Sequence, residues 1–154
     1  LIDRFHEHRL PVVFACDSFL PGDFIFKGRM APHSLRGSHG EEVIPDLHRE
    51  ARDHLVSKRR FSAFFKTDLD QTLRTLGVDT AVVTGIATPI CVMATVMDAL
   101  SHDFQAIVIE DCCAAHRPED HRAVLDAYRK TPLHPLLQVL HSKEFLGWLS
   151  ANRE

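Results

Sequence analysis

Five apolar runs recur along the chain, and segments with helical spacing separate them. Most of the runs are rich in β-branched residues and have apolar side chains on both faces, which is typical of strands buried inside a parallel sheet. The pattern predicts strands at residues 10–16, 54–57, 80–86, 104–110 and 136–141.

Helical patterns fill the gaps between these runs. We predict helices at residues 1–8, 67–77, 89–102 and 119–130. In the second, Thr67 is the expected N-cap, and Leu69, Leu73 and Leu76 lie on one face. Sequential β-α-β units with right-handed crossovers predict a three-layer α/β/α sandwich with a mostly parallel, Rossmann-like sheet.

Composition limits the classes of function. The chain has 154 residues, which fits one domain over residues 1–154, and a net charge of −3, which argues against binding to nucleic acid. No apolar run is long enough to cross a membrane, and no secretory signal is visible, so we expect no membrane partner. Four cysteines fit a reducing, cytoplasmic location.

The segment 84–92 contains the strongest chemical signal. A buried strand ends at Gly85, a tight turn follows, and Cys91 lies in the first turn of a helix. Free N–H groups at a helix start lower a thiol pKa and can hold an oxyanion. The alternative, equally weighted on spacing alone, is a small apolar cysteine packed under the helix.

Lys58 lies at the carboxyl end of the predicted second strand, beside the same crevice. Its ammonium group is a candidate to stabilise a thiolate or an oxyanion, although an exposed strand-end lysine is the simpler interpretation. Arg59 and Arg60 follow it and make the local field positive.

Several motifs in order resemble the isochorismatase-like cysteine hydrolases, which include nicotinamidases and N-carbamoylsarcosine amidases. The motifs are GSHGEEVIPDL at 37–47, KRRFSAFFKTDL at 58–69, VTGIAT at 83–88 with Cys91, and EDCCAA at 110–115. The resemblance covers residues 10–139. It implies a six-stranded sheet of which five strands are visible.

The resemblance also implies a catalytic site. Cys91 matches the nucleophile and Lys58 the lysine of an Asp–Lys–Cys triad. The Ile86–Ala87 peptide bond matches a cis bond, and the N–H groups of Ala87 and Cys91 match an oxyanion hole. The expected substrate-pocket residues are Phe61, Phe65 and Ile90. The implied reaction is hydrolysis of a small amide through a thioester, with no cofactor.

Two departures qualify this expectation. The triad aspartate belongs on a strand that would precede residue 1, so we expect the native polypeptide to extend upstream; Asp3 and Asp17 are expected to be poorly placed substitutes. Metal-containing nicotinamidases have an Asp-x-His pair where this chain has Asp17-Ser18-Phe19. Asp17, His33 and His39 are therefore weak metal candidates, and we predict no metal.

Three functions remain open at this point. The leading hypothesis is a cysteine-dependent hydrolase of a small amide, carbamoyl or ureido compound, acting as a homo-oligomer. A vinyl-ether hydrolase of the isochorismatase type needs no thiol, so Cys91 favours the amidase. A catalytically inactive scaffold is the third. We expect the other histidines, including His6 and His48, to be solvated surface residues.

Overall fold

The computed structural model describes residues 1–151, which form five helices and five strands. The helices are α1 (Ile2–Glu7), α2 (Leu69–Thr75), α3 (Met93–Ser101), α4 (Pro118–Arg129) and α5 (Ser142–Ala151). The strands are β1 (Val13–Asp17), β2 (His54–Lys58), β3 (Thr80–Ile86), β4 (Gln105–Ala114) and β5 (Leu137–Leu140).

All strand pairs are parallel, which confirms the predicted α/β class. The strands form two ladders, a pair with the order β1-β2 and a trio with the order β3-β4-β5. Over residues 1–151, no ladder joins β1 to β3. The resemblance implies a further strand at this place in the sheet, and that strand stays a prediction.

The larger apolar core lies between the strands and the helices α2, α3 and α4. Val96, Ala106 and Val108 are fully buried there, and Leu125 of α4 and Leu137 of β5 are nearly so. A second cluster packs α5 against β4 through Phe145, Ile107 and Ile109. Both clusters hold the three-stranded ladder rigidly below the turn that follows β3.

Besides shifts at other element ends, such as β1 beginning at Val13 and α3 at Met93, the observed elements show three notable differences from the predicted ones. Strand β4 continues to Ala114 rather than ending at 110, with an irregular register against β3. Helix α2 begins at Leu69 with Asp68 at its N-cap, one residue after the expected Thr67, whose hydroxyl accepts the Leu69 N–H at 3.3 Å. Helix α5 was not predicted, because Gly147 and Ser150 weaken its pattern.

The long segment between β1 and β2 is a loop with two short 3₁₀ turns, at Phe24–Lys27 and His39–Glu41. Asp23 is 4% exposed and anchors this loop to the chain after β2. Its carboxylate accepts hydrogen bonds from the guanidinium groups of Arg59 and Arg60. No helix among the described residues is long and apolar enough to cross a membrane.

Candidate active site

Lys58 is the last residue of β2, and its side chain is buried, with 5% of its surface exposed. The ammonium group contacts the carboxylate of Asp17 and donates to the carbonyl of Arg60 at 3.2 Å. Asp17 ends β1, and the parallel register pairs it directly with Lys58. Asp17 therefore contacts the lysine, and the expectation that it is a poor substitute for the triad aspartate stays a prediction.

Cys91 follows β3 in a wide helical turn. Gly85 has a φ of 111°, which suits glycine, and the next peptide bond, Ile86–Ala87, is cis. Residues Thr88–Val92 then form a single π-helical turn, in which the N–H groups of Ile90 and Val92 both donate to the Ala87 carbonyl. Such π turns occur frequently at functional sites.

Two threonines fix this turn in the fold. Thr88 is fully buried, and its hydroxyl donates to the Ala114 carbonyl at 3.0 Å, which ties the turn to β4. Thr95 donates to the Cys91 carbonyl at 2.8 Å and accepts the Ala63 N–H at 3.0 Å. The chain after Lys58 is thereby joined to the turn that contains the thiol.

The surroundings of Cys91 act on its pKa in opposite directions. Burial raises the pKa of the thiol above its ordinary value of 9.0, and the charge of Asp17 acts the same way. The Lys58 ammonium and a hydrogen bond from the Ala87 backbone lower it, but the net shift is upward. The helix-start argument for a lowered pKa is corrected here, because desolvation outweighs the N–H groups.

The expected pocket residues are more exposed than apolar side chains usually are. Phe61, Phe65 and Ile90 expose 40%, 48% and 38% of their surface, and Ile86 exposes 75%. The bridge through Thr95 places the segment that contains both phenylalanines beside the Cys91 turn. Their role in a substrate pocket stays a prediction.

A separate cleft of about 590 Å³ lies against β1 and β2. Cys16, Leu55 and Ser57 line it from the strands, and residues 41–49 contribute most of the rest. Neither Cys91 nor Lys58 lines this cleft. Its volume therefore does not identify the place where a substrate would meet the thiol.

The positive field expected from Arg59 and Arg60 is reduced by Asp23. Hydrogen bonds from Arg59 and from the Leu20 N–H hold the pKa of Asp23 well below its usual range, so this carboxylate is ionised at neutral pH. It neutralises part of the guanidinium charge. The two arginines therefore anchor the loop between β1 and β2, and less of their charge is available to attract an anion.

The three weak metal candidates do not come together in the part of the chain described. Asp17 is paired with Lys58. His33 Nδ1 donates to the Ala31 carbonyl at 3.0 Å, and the ring packs against two phenylalanine rings. His39 is almost fully exposed and pairs with Glu42 at 3.0 Å. Among the described residues, Asp17, His33 and His39 therefore do not form a common cluster of metal-ligating atoms.

Sequence comparison places this site in a known family. Residues 1–140 match the model of the isochorismatase domain. The chain belongs to this family. The match confirms the resemblance drawn from the motifs around Lys58 and Cys91.

Three relatives with curated names are similar over most of the chain. YwoC of Bacillus subtilis, an uncharacterized isochorismatase family protein, is 35% identical over 131 residues, or 81% of this chain and 69% of its own. The ureidoacrylate amidohydrolase RutB of Methylobacterium radiotolerans is 35% identical over 75% of this chain and 40% of its own. A "Probable inactive nicotinamidase" of Arabidopsis thaliana is 42% identical over 60% of this chain and 48% of its own.

Solved structures agree with the fold. The N-carbamoylsarcosine amidase of Thermoplasma acidophilum has a TM-score of 0.77 and 35% identity, covering 92% of this chain and 78% of that one. The chain spans between 40% and 69% of the length of the three curated relatives.

Sequence reasoning missed two contributors to this site. The role of Asp17 could have been inferred from the sequence, because this residue directly follows an apolar run. Polar residues at the carboxyl ends of parallel strands lie together at one edge of the sheet. Thr95 has no such signal, because its bridge joins Ala63 and Cys91 across separate elements.

Proposed function

We propose that the protein hydrolyses a C–N bond in a small amide, carbamoyl or ureido compound, with Cys91 as the nucleophile. The observation that supports this most directly is that the Lys58 ammonium and the Ala87 N–H both lie close enough to the Cys91 thiol to lower its pKa. The names of the amidohydrolase and amidase relatives denote the same class of reaction.

The proposed reaction has two halves. The thiol proton passes to a carboxylate, the sulfur bonds to the substrate carbonyl carbon, and the N–H groups of Ala87 and Cys91 stabilise the oxyanion. Collapse breaks the C–N bond, the proton passes to the leaving nitrogen, and a thioester remains. Water then attacks the thioester, which releases the acid and restores the thiol.

A raised pKa fits this sequence of steps. Because Cys91 rests as a thiol, its proton must be removed as the carbonyl is attacked, which requires a base close to the sulfur. The resemblance assigns that base to an aspartate before residue 1. Among residues 1–151, Asp17 is the carboxylate that contacts Lys58, and we assign it the positioning of that ammonium group.

The test is ammonia release by the full-length protein from ureidoacrylate, N-carbamoylsarcosine and nicotinamide. Cys91→Ala should lose more than about a thousandfold in kcat/KM on the accepted substrate, because the nucleophile is gone. Cys112→Ala is the matched control, since Cys112 is another free cysteine that lies in β4, and it should retain activity.

Two results would contradict the proposal. Activity that survives in Cys91→Ala would remove the thiol from the reaction. No activity of the wild type on any of the amides would favour an inactive scaffold, as the name of the Arabidopsis relative suggests for that protein.

A further inference from the structure

Two histidines and several carboxylates cluster at the end of β2 that lies away from Lys58. Asp3 and His6 belong to α1, and His48, Glu50 and Asp53 lie in the chain that leads into β2. One ligand atom from each of Asp3, His6 and His48 lies within 4.8 Å of the others.

His6 is the buried centre of this cluster, with 5% of its side chain exposed. Its Nε2 lies 3.0 and 3.1 Å from the two carboxylate oxygens of Asp53, whose side chain is 2% exposed. A carboxylate accepts hydrogen bonds, so the Nε2 proton is donated to Asp53. In a neutral imidazole, the lone pair then lies on Nδ1.

The Nδ1 atom of His6 is buried and has no hydrogen-bond partner within residues 1–151. The nearest charged group is the carboxylate of Glu50, with Oε1 3.3 Å from Nδ1. A lone pair and a carboxylate oxygen at that distance repel each other unless a cation lies between them. This unpartnered atom therefore points to a bound cation.

Exposed ligands complete the arrangement. His48 Nδ1 lies 2.8 Å from Asp3 Oδ1, and the two side chains are 64% and 70% exposed. Two of the three proposed ligands are therefore open to solvent beside the buried His6. Imidazole and carboxylate groups are common zinc ligands, and a carboxylate on the far ring nitrogen is the usual support of a zinc-binding histidine.

We propose that His6 Nδ1, His48 and Asp3 bind a Zn²⁺ ion, with Glu50 in reach as a fourth ligand and Asp53 orienting His6. The ion would join α1 to the chain before β2. Strand β2 has five residues, or about 13 Å at the rise of a parallel strand, so the ion lies too far from Lys58 to take part in amide hydrolysis. The proposal is independent of the proposed function.

The test is a zinc titration of tag-free, full-length protein after treatment with a chelator. Cysteines are first blocked with iodoacetamide, so that thiolates do not bind the metal. A chromophoric chelator competes for Zn²⁺, and Co²⁺ serves as a spectroscopic probe of ligand type. The wild type should bind one equivalent, with a cobalt spectrum free of thiolate charge-transfer bands.

Variants distinguish a specific zinc site from nonspecific binding of zinc by surface histidines. His48→Ala and Asp3→Asn change exposed residues and should each weaken zinc binding by at least about tenfold. His39→Ala is the matched control, because His39 is exposed and also pairs with a carboxylate. It should leave the affinity unchanged. Asp53→Asn should weaken binding by about 10–100-fold, with thermal unfolding of the zinc-free protein as the check on folding.

The proposal fails if the wild type binds no equivalent of Zn²⁺, or if His48→Ala binds as tightly as His39→Ala. The rate of amide hydrolysis, measured in parallel, should be the same for His48→Ala and the wild type. A failure of the zinc proposal can therefore be told apart from a failure of the proposed function.

Discussion

Cys91 should be alkylated slowly at neutral pH, at a rate that rises steeply as the pH increases. Burial places the pKa of its thiol above 9.0 despite the nearby Lys58. A thiol with a pKa of 9 is about 0.1% thiolate at pH 6, about 1% at pH 7 and about 10% at pH 8. The reaction with iodoacetamide should therefore accelerate about 100-fold between pH 6 and pH 8, since the thiolate is the nucleophile.

The assay quenches timed samples and follows the peptide that contains Cys91 by mass spectrometry. The peptides with Cys16, Cys112 and Cys113 provide internal comparisons, and burial raises the pKa of each of these thiols as well, that of Cys113 to about 11. A thiol with a pKa near 7 would gain only about tenfold over the same range. A gain that small at Cys91 would refute the argument that desolvation outweighs Lys58 and the Ala87 N–H.

Three further predictions concern the site and its support. Asp17→Asn should speed the alkylation of Cys91, because the Asp17 charge raises the thiol pKa. The same change should slow amide turnover, because Lys58 loses its partner. If both rates rise or both fall, the positioning role of Asp17 is contradicted. Thr88→Val should lower the free energy of unfolding by about 0.5–1.5 kcal/mol in urea denaturation, because the hydrogen bond from the buried Thr88 hydroxyl to the Ala114 carbonyl is lost. Leu125→Ala should lower the free energy of unfolding by about 2–5 kcal/mol, because it leaves a cavity in the core. A change below about 1 kcal/mol would show that neighbouring side chains move to fill that cavity.

The local sequence pattern was enough to predict β2, β3 and the turn that contains Cys91. Strand β3 has the predicted bounds, and β2 is one residue longer than predicted, because each is a short apolar run with clear ends. The turn with Cys91 follows from Gly85 and from Pro89 in the next turn. These features depend on neighbouring residues, which a sequence displays directly.

Features that depend on distant residues were not predictable in the same way. The sign of the Cys91 pKa shift depends on how deeply the side chain is buried, and no spacing reports that. His6 was expected to be solvated, but Asp53 and Glu50, more than forty positions away, enclose it. The end of β4 was missed because Asp111 and the two cysteines after it interrupt the apolar alternation.

The Thr95 bridge has a mechanical consequence for the proposed chemistry. It joins Ala63, in the chain after Lys58, to the Cys91 carbonyl, so it restrains the separation of the ammonium group and the thiol. Two unit charges attract each other by about 4 kcal/mol at 4 Å and about 2.8 kcal/mol at 6 Å in a medium of effective dielectric 20. A change of ~2 Å in such a separation changes a thiol pKa by about one unit. The bridge therefore keeps the strength of the nucleophile constant, and Thr95→Val, which breaks it, should alter the alkylation rate of Cys91 by up to about tenfold.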